Sequence, residues 1–488
     1  MSERIKNVDT AVSERPLIPD PLADRYASTP MVNVFSPEKR IVFERELWIA
    51  VMKAQKELGL NIPTEAIEAY EKVKDNVDLE SIKKRERELR HDEKAKLEAF
   101  NNLAGYEYAH LGMTSRDQGD NTEQMQIKMG MEILRDHTVA TLSRMARLAV
   151  EYNGLVYPER THLAVAQPSL IGKVFANFGE ELLMGFDRLE TLIDKYPLRG
   201  IKGAVGTQTD QLQLFDGDKK KVEVLEKKIA DFLGFKNVIG SVGQVYPRSL
   251  DFEVVSTLYQ LISGPSSLAK TARVMAGLEE FTEGFKDGQV GSTAMPHKMN
   301  SRSSERINAF RNILSGYVTM TAANAGDQWF GGDVSCSATR RVAIPDAFFT
   351  ADGVLETTMT VLDECGFYPA VIQREMDKYL PFLTTTRLLM TAVKNGVGRE
   401  VAHKAIKEHS VAVALGMRNS GNQTNDLINR LVSDTRLGLS KDKLTEAIAK
   451  PIEFVGNAAD QIDDFAKRVE SVVKKYPEAA KYNPEEIL

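Results

Sequence analysis

Residues 288–300, GQVGSTAMPHKMN, concentrate side chains able to do chemistry within a chain of 488 residues. A hydroxyl pair, Ser292 and Thr293, stands among Gly288, Gly291 and Pro296, and His297, Lys298 and Asn300 follow. Glycine lets a backbone approach a ligand closely, and proline limits where a helix can start. From Ser303 onward, Ile307, Phe310, Ile313, Leu314 and Tyr317 recur at near-helical spacing. The segment therefore reads as a polar, glycine-hinged loop running into a long helix. Such a loop either closes on a ligand or is a solvated surface turn.

Two other stretches gather reactive groups. In YPERTHLAVAQ (157–167), Thr161 and His162 stand just before a helix expected to begin near Pro168. Arg90, His91 and Asp92 form a second cluster, together with Thr114 and Ser115 in LGMTSRDQGDN (111–121). That second stretch has the composition of a turn-rich joint and is an expected domain boundary. A single histidine is more often a satisfied structural group than a catalyst. Two histidines beside Arg, Asp and hydroxyls in turn positions make the two readings equal. Spacing alone specifies no reaction.

The elements that must position these groups are helical in pattern. After an extended, proline-bearing arm over residues 1–30, helices are expected near 38–59 and 79–90. Longer ones follow near 121–152, 169–196, 217–234, 248–280, 303–326 and 342–365. Segments of about thirty residues make helices of about 45 Å, a length that suits a bundle sharing its core between subunits. Strand signals are few. Residues 368–488 read as a third block of shorter helices, broken by KNGVGRE, GMRNSGNQTND and LGLSKDK.

Composition narrows the function classes. Hydrophobic content is 42%, charged content 27% and net charge −6, ordinary for a soluble globular protein and against a general polyanion-binding surface. No nucleic-acid partner is expected. Two cysteines, Cys336 and Cys365, are too few for a disulfide framework or a zinc cluster. No run approaches the roughly 18 apolar residues of a membrane span, and the first residues lack a secretory pattern, so a cytoplasmic protein without membrane contact is expected. GIKGAVG (200–206) does not fit a dinucleotide fingerprint, and no metal-ligand spacing is present. The basic run 219–221 reads as a solvated helix face, and His403 and His409 as structural.

GSTAMPHKMN resembles the signature G-S-S-x-M-P-x-K-x-N of the fumarase/aspartase lyase superfamily. TSRDQGDN (114–121) is similar to its block T-S-x-x-x-x-D-N, and THLAVAQ (161–167) to T-H-x-Q-x-A-Q. Within the superfamily the chain resembles the adenylosuccinate lyase family through DRYAS (24–28), LRHD (89–92), RGIKGAVGTQ (199–208), GQVYPRSLD (243–251), DQWF (327–330), and Ser337 with Arg341. Three departures stand out. The block after His162 lacks the usual Phe-Gln-Pro, Ser301 replaces a proline, and Gly331-Gly332 stand where many members have Glu-Arg, removing an arginine expected near a phosphate.

The resemblance implies an all-α, three-domain fold. Its N-terminal helical domain would span 1–114, its central long-helix bundle 115–367 and its C-terminal helical domain 368–488, and the bundle would form a twenty-helix core in a homotetramer. It implies elimination of fumarate from adenylosuccinate, giving AMP, and from SAICAR, giving AICAR, with no cofactor and no metal. By resemblance Ser292 is the base, His162 the acid, and His91 and Lys298 share the catalytic set. Arg25, Tyr26, Arg90, Asp92, Thr114, Ser115, Thr161, Gln244, Asn300, Arg306, Ser337 and Arg341 are the expected substrate contacts, with His91 pairing with His162 or the phosphate. Arg25, Arg306 and Arg341 are the expected phosphate partners. His297, at a variable position of the signature, is expected to be non-catalytic. The alternatives are another fumarate-releasing lyase, such as argininosuccinate lyase, or a non-catalytic helical scaffold.

Overall fold

The computed structural model describes residues 20–284 and 294–486. Ser292, with Gly288, Gly291 and Thr293, lies outside the described residues.

The N-terminal part is built from α1 (Pro21–Arg25), α2 (Thr29–Phe35), α3 (Pro37–Glu57), α4 (Thr64–Val73), α5 (Leu79–Leu89) and α6 (Asp92–Ala104). Local chemistry sets these starts: Asp20, Ser28 and Ser36 each accept a backbone N–H of the helix that follows, and a proline occupies its first turn. Next comes α7 (Ser115–Glu151), 37 residues long and about 55 Å at 1.5 Å per residue. The turn of the 111–121 joint therefore ends at Thr114, and its remaining residues are already helical.

A β-hairpin follows, β1 (Val156–Thr161) against β2 (Ala164–Leu170), and then α8 (Ile171–Lys195). This corrects the expectation of a helix from Pro168. The prolines obscured the strands, because Pro158 and Pro168 face each other in the register. A two-stranded hairpin has only edges, so the missing N–H groups can face outward.

The remaining elements are β3 (Pro197–Leu198), α9 (Thr209–Leu214), α10 (Lys219–Phe232), β4 (Asn237–Val238), α11 (Ser249–Leu261), α12 (Ser263–Gly277), β5 (Phe281–Thr282), α13 (Arg302–Asn324), α14 (Ser337–Glu364) and β6 (Gly366–Phe367). The single pattern expected over 248–280 is thus two helices broken at Ile262. Pro265 supplies the reason, having no N–H to offer the carbonyl of Leu261. The chain closes with α15 (Pro369–Leu383), α16 (Thr385–Lys394), α17 (Arg399–Ser420), α18 (Leu427–Ser433), α19 (Lys441–Ile448) and α20 (Ala458–Lys475).

Helices α7, α8, α11, α12, α13 and α14 pack side by side, and α20 returns to lie on α7 and α8. One continuous apolar core runs from Leu22 through Leu134, Leu189, Leu258 and Phe348 to Phe465 and Val469. Fully burying one such side chain stabilises the fold by about 1.5–3 kcal/mol. A second, separate core around Leu388, Ile406, Leu427 and Leu444 holds α16 to α19 together.

Because α7 is covered on several sides, some of its polar side chains turn back onto its own carbonyls, while the buried Thr122 hydroxyl has no partner among the described residues. Thr138 and Thr141 donate to the carbonyls of Leu134 and His137, at 2.6 and 2.8 Å. No helix of the described residues is long and apolar enough to cross a membrane. Both cysteines are free thiols.

Candidate active site

The exit of the signature loop is organised by α13. Glu283 accepts the backbone N–H groups of Ser303 and Ser304 at 3.1 and 2.6 Å, satisfying two amides of that helix's first turn. Lys298 N donates to the Met295 carbonyl at 3.0 Å, and Arg302 N to that of Asn300 at 2.9 Å, which fixes the backbone between them. Lys298 and Asn300 line a cavity of about 570 Å³ together with His297, Glu283, Thr282 and Tyr368. Two residues of the signature thus face one space beside a helix N-terminus whose first amides Glu283 already holds.

Arg25, Tyr26 and Arg306 meet on the adjoining surface. The Arg306 guanidinium sits 5.1 Å from the Tyr26 ring centroid and that of Arg25 5.8 Å. Phe310, one turn further along α13, packs edge-on against the same ring at 5.0 Å. Burial pulls Arg306 below its ordinary range, and the nearby charges of Arg302 and Arg25 push the same way, while Tyr26 and Glu283 oppose them. Two guanidinium groups over one tyrosine, with Arg302 close enough for its charge to act on Arg306, make a site suited to a phosphate. Arg302 was not singled out in the sequence, although its i,i+4 spacing from Arg306 places both on one helix face.

The turn between α5 and α6 carries the next group. Arg90 adopts a left-handed φ of 54° as the cap of α5, with its N–H on the Glu86 carbonyl at 2.7 Å. His91 caps α6, its Nδ1 accepting the N–H of Lys94 at 3.3 Å, so Nε2 is the nitrogen left for a ligand. Burial drives the Asp92 carboxyl upward, but Lys96, the Glu93 N–H, His91 and Arg341 outweigh it and hold it below the usual range. Asp92 and Arg341 are therefore neighbours across the fold. Ser337 opens α14, its N–H on the Val334 carbonyl at 2.9 Å, and Arg341 follows one turn later on an exposed face.

Thr114 and Ser115 are held from beneath. Thr114 N donates to Asp117 Oδ2 at 2.9 Å. The same buried carboxylate accepts from Lys202 N at 2.9 Å, from Gly203 N at 3.1 Å and from Arg199. Arg199 reaches on to the Gly243 carbonyl at 3.0 Å, and Gln244 N donates to that of Gly331 at 2.6 Å. So RGIKGAVG, GQVYPR and the Gly331-Gly332 pair form one interlocked support. The departure at Gly332 is built into it. Gly332 has φ +94°, and a Cβ there would stand 2.7 Å from Val245 Cγ2. An arginine at this position is incompatible with the local backbone. Gly332→Arg is expected to lower stability by about 1–3 kcal/mol without improving KM, measured by urea unfolding and steady-state kinetics.

Thr161 and His162 stand apart from these groups. Thr161 ends β1, and His162–Leu163 form the two-residue tip of the hairpin with φ of 55° and 62°. Positive φ at both central positions belongs to the turn type that Asn-Gly usually fills, so two bulky residues there store strain of order 1–3 kcal/mol each. Strain of that kind gathers at functional sites. Both side chains are exposed, Leu163 at 74%. The hairpin base opens on a different cavity, of about 630 Å³, lined by Thr161, Arg160, Glu159 and Lys173. It shares no lining residue with the cavity of Lys298 and Asn300. Within one chain no hydrogen bond joins His91 to His162 among the described residues.

Comparison with known proteins gives this arrangement its relatives. Residues 27–312 match the family model described as lyase, and residues 381–465 match that of the adenylosuccinate lyase C-terminus. Adenylosuccinate lyase of Saccharomyces cerevisiae is 34% identical over 453 residues, covering 92% of this chain and 94% of the relative. That of Schistosoma mansoni is 31% identical over 470 residues, 95% and 97% of the two chains. Among solved structures, a fumarate lyase from Mesorhizobium sp. BNC1 superposes with TM-score 0.76 over 93% of this chain and all of its own (100%), at 21% identity. The 3-carboxy-cis,cis-muconate lactonizing enzyme from Pseudomonas putida gives TM-score 0.79 over 93% and 99%, at 17% identity. These structures share the fold. With the C-terminal block matched as well as the lyase core, and relatives above 30% identity along nearly the whole chain, this protein belongs to the adenylosuccinate lyase family.

Proposed function

We propose that the chain eliminates fumarate from adenylosuccinate to give AMP, and from SAICAR to give AICAR, with the residues above in defined roles. A base takes the proton from the carbon beside a succinyl carboxylate, and the electron pair moves into that carboxylate as a dianionic aci form. The pair then returns to form the double bond of fumarate. The C–N bond breaks, and an acid protonates the departing nitrogen. Such chemistry needs a base on one face, an acid on the other, and positive groups around the developing charge.

Ser292 is assigned as the base by its place in the signature. A serine hydroxyl is a weak base in water, so its loop must exclude solvent and present N–H groups to the oxygen. Lys298 and Asn300 hold the succinyl carboxylates, the first by charge and the second by its amide N–H. His162 protonates the leaving nitrogen as the general acid, with Thr161 orienting the substrate. Arg25, Arg306 and Arg341 receive the phosphate, Tyr26 stacks on the base, and Arg90, His91, Asp92, Thr114, Ser115, Gln244 and Ser337 complete the nucleotide contacts.

The observation that carries this reading is the convergence of Lys298 and Asn300 on one polar cavity, whose wall residue Glu283 is also an electrostatic neighbour of Arg306. The separation of the hairpin cavity from it supports a homotetramer in which His162 of one copy completes the site of another. Exposed apolar groups point the same way: Phe330 is 100% exposed, Trp329 64% and Leu163 74%, surfaces that water leaves unfavourable until another subunit covers them. We read the chain as a cytoplasmic enzyme divided at 114/115 and 367/368, with α20 returning from the C-terminal part onto the bundle.

The test is direct. Ultraviolet absorbance is expected to change on adding adenylosuccinate and to stay constant with argininosuccinate. Turnover of argininosuccinate alone would move the chain to another branch of the superfamily. Turnover of neither would favour a scaffold.

A further inference from the structure

The C-terminal residues after α20 do not end on the second core. Their last described residues reach Thr29, three positions after Tyr26. Thr29 presents both its backbone N–H and its hydroxyl to Glu485 Oε2, each at 2.9 Å. Glu485 N donates to Glu356 Oε2 at 2.7 Å. The Tyr482 ring stacks on His137, with centroids 4.1 Å apart and planes 20° from parallel. Arg144 Nη2 reaches Asn483 Oδ1 at 3.3 Å while its Nε holds Asp363 at 2.8 Å.

Under this tail lies a buried trio on α7 and α14. His137 Nδ1 and Asp352 Oδ1 are hydrogen-bonded at 2.7 Å, and Glu356 Oε1 is 3.4 Å from the same nitrogen. All three residues are buried, and Glu356 Oε1 has no hydrogen-bond partner. The other oxygen of Asp352 accepts the N–H of Ser28 at 2.7 Å. Ser28 caps α2 and follows Tyr26 by two residues. Next to Asp352, Gly353 lets the helix meet that segment: a Cβ there would stand 3.1 Å from the Tyr26 carbonyl oxygen. The three acid and imidazole groups lie within 4.8 Å of one another, a spacing a cation could use. The short imidazole–carboxylate hydrogen bond and the two backbone N–H groups satisfy both oxygens of Asp352 and one of Glu356, leaving Glu356 Oε1 with only the approach to His137 among the described residues.

We propose that the C-terminal tail is a strap that holds the Tyr26 segment in its substrate-binding position, with Glu485 gripping Thr29 from outside and Asp352 gripping Ser28 from within. This rests on the reading that Arg25 and Tyr26 contact the nucleotide. Glu485, His137, Asp352 and Glu356 are then positioning residues, none of which touches substrate. The cap and the first residue of α2 are both fixed, and the ring and guanidinium group that precede them are held with them.

The experiment uses the intact enzyme with Glu485→Ala, which removes the acceptor for Thr29, and Glu485→Gln, which keeps an oxygen there. Glu485→Ala is expected to speed amide hydrogen exchange across residues 22–31 at least about fivefold. It is also expected to raise KM for adenylosuccinate about tenfold with kcat within about twofold, and Glu485→Gln to restore both. Asp352→Asn, approaching from the buried side, should speed exchange over the same residues. Unchanged exchange in Glu485→Ala overturns the strap. Faster exchange with unchanged KM overturns its link to the substrate and, with it, the assignment of Arg25 and Tyr26. Parallel falls in kcat and thermal midpoint overturn the positioning role in favour of general packing. Dialysis against EDTA is expected to leave exchange unchanged, and faster exchange after it would overturn the proposal in favour of a bound cation.

Discussion

His162→Ala is expected to lower kcat on adenylosuccinate at least about a hundredfold while leaving the thermal midpoint nearly unchanged. The separation of these two effects follows from where the residue stands. At the hairpin tip its side chain is exposed, so truncation opens no cavity in the core. A general acid is worth roughly 10²–10⁴ in rate, and the leaving nitrogen has no other assigned donor. Ser292→Ala should cost at least as much, because no proton leaves carbon without the base. If the hairpin of one subunit serves the loop of another, mixing the two inactive variants after partial denaturation and refolding should restore activity. Some sites then carry both intact residues. Rates within about threefold of the parent enzyme for either variant would remove it from the chemistry.

Arg340→Ala is expected to cost about 3–5 kcal/mol of stability, read as a lower urea midpoint. Arg340 is 4% exposed and bonds Asp251 Oδ2 at 2.7 Å, Glu123 and the Tyr246 hydroxyl. The same network continues through Arg248 and Arg116 to Asp120, and through Arg40 from Glu123 to Glu44. It joins α3, α7, α11 and α14. Burial alone would push the Glu123 carboxyl up, but Arg340, Arg40, Arg116 and Arg248 together hold it well below the usual range. Removing one cation leaves its acids buried and unpaired, and that, more than the lost attraction, is the expense. Arg340→Lys should retain part of the stability, since a point charge replaces a fork that reaches three partners. A midpoint unchanged in Arg340→Ala would show that water already reaches the network.

Much of the bundle was written along the chain. Long proline-free repeats predicted α8 to within a few residues, and α7 apart from its first six, because burial follows helical periodicity. The hairpin was not legible. Its turn is His-Leu in place of Asn-Gly, and its strands carry opposed prolines, so local signals pointed away from the structure that tertiary contacts impose. The network around Arg340 was equally hidden, since each of its ions taken alone reads as a surface residue.

For the site, the sequence by itself determined which residue types are present and, through the signature loop, which family they resemble. Only the tertiary structure decided which of them meet. Arg25 and Arg306 are 281 positions apart yet share one tyrosine, and Asp92 and Arg341 are neighbours across the fold. Lys298 and Thr161, equally prominent in the sequence, open on different cavities of one chain. The physical reason is that sequence patterns report the interactions of residues within a few turns of one another. The pairing of distant charges is set by how long helices pack, which depends on side chains far from either partner.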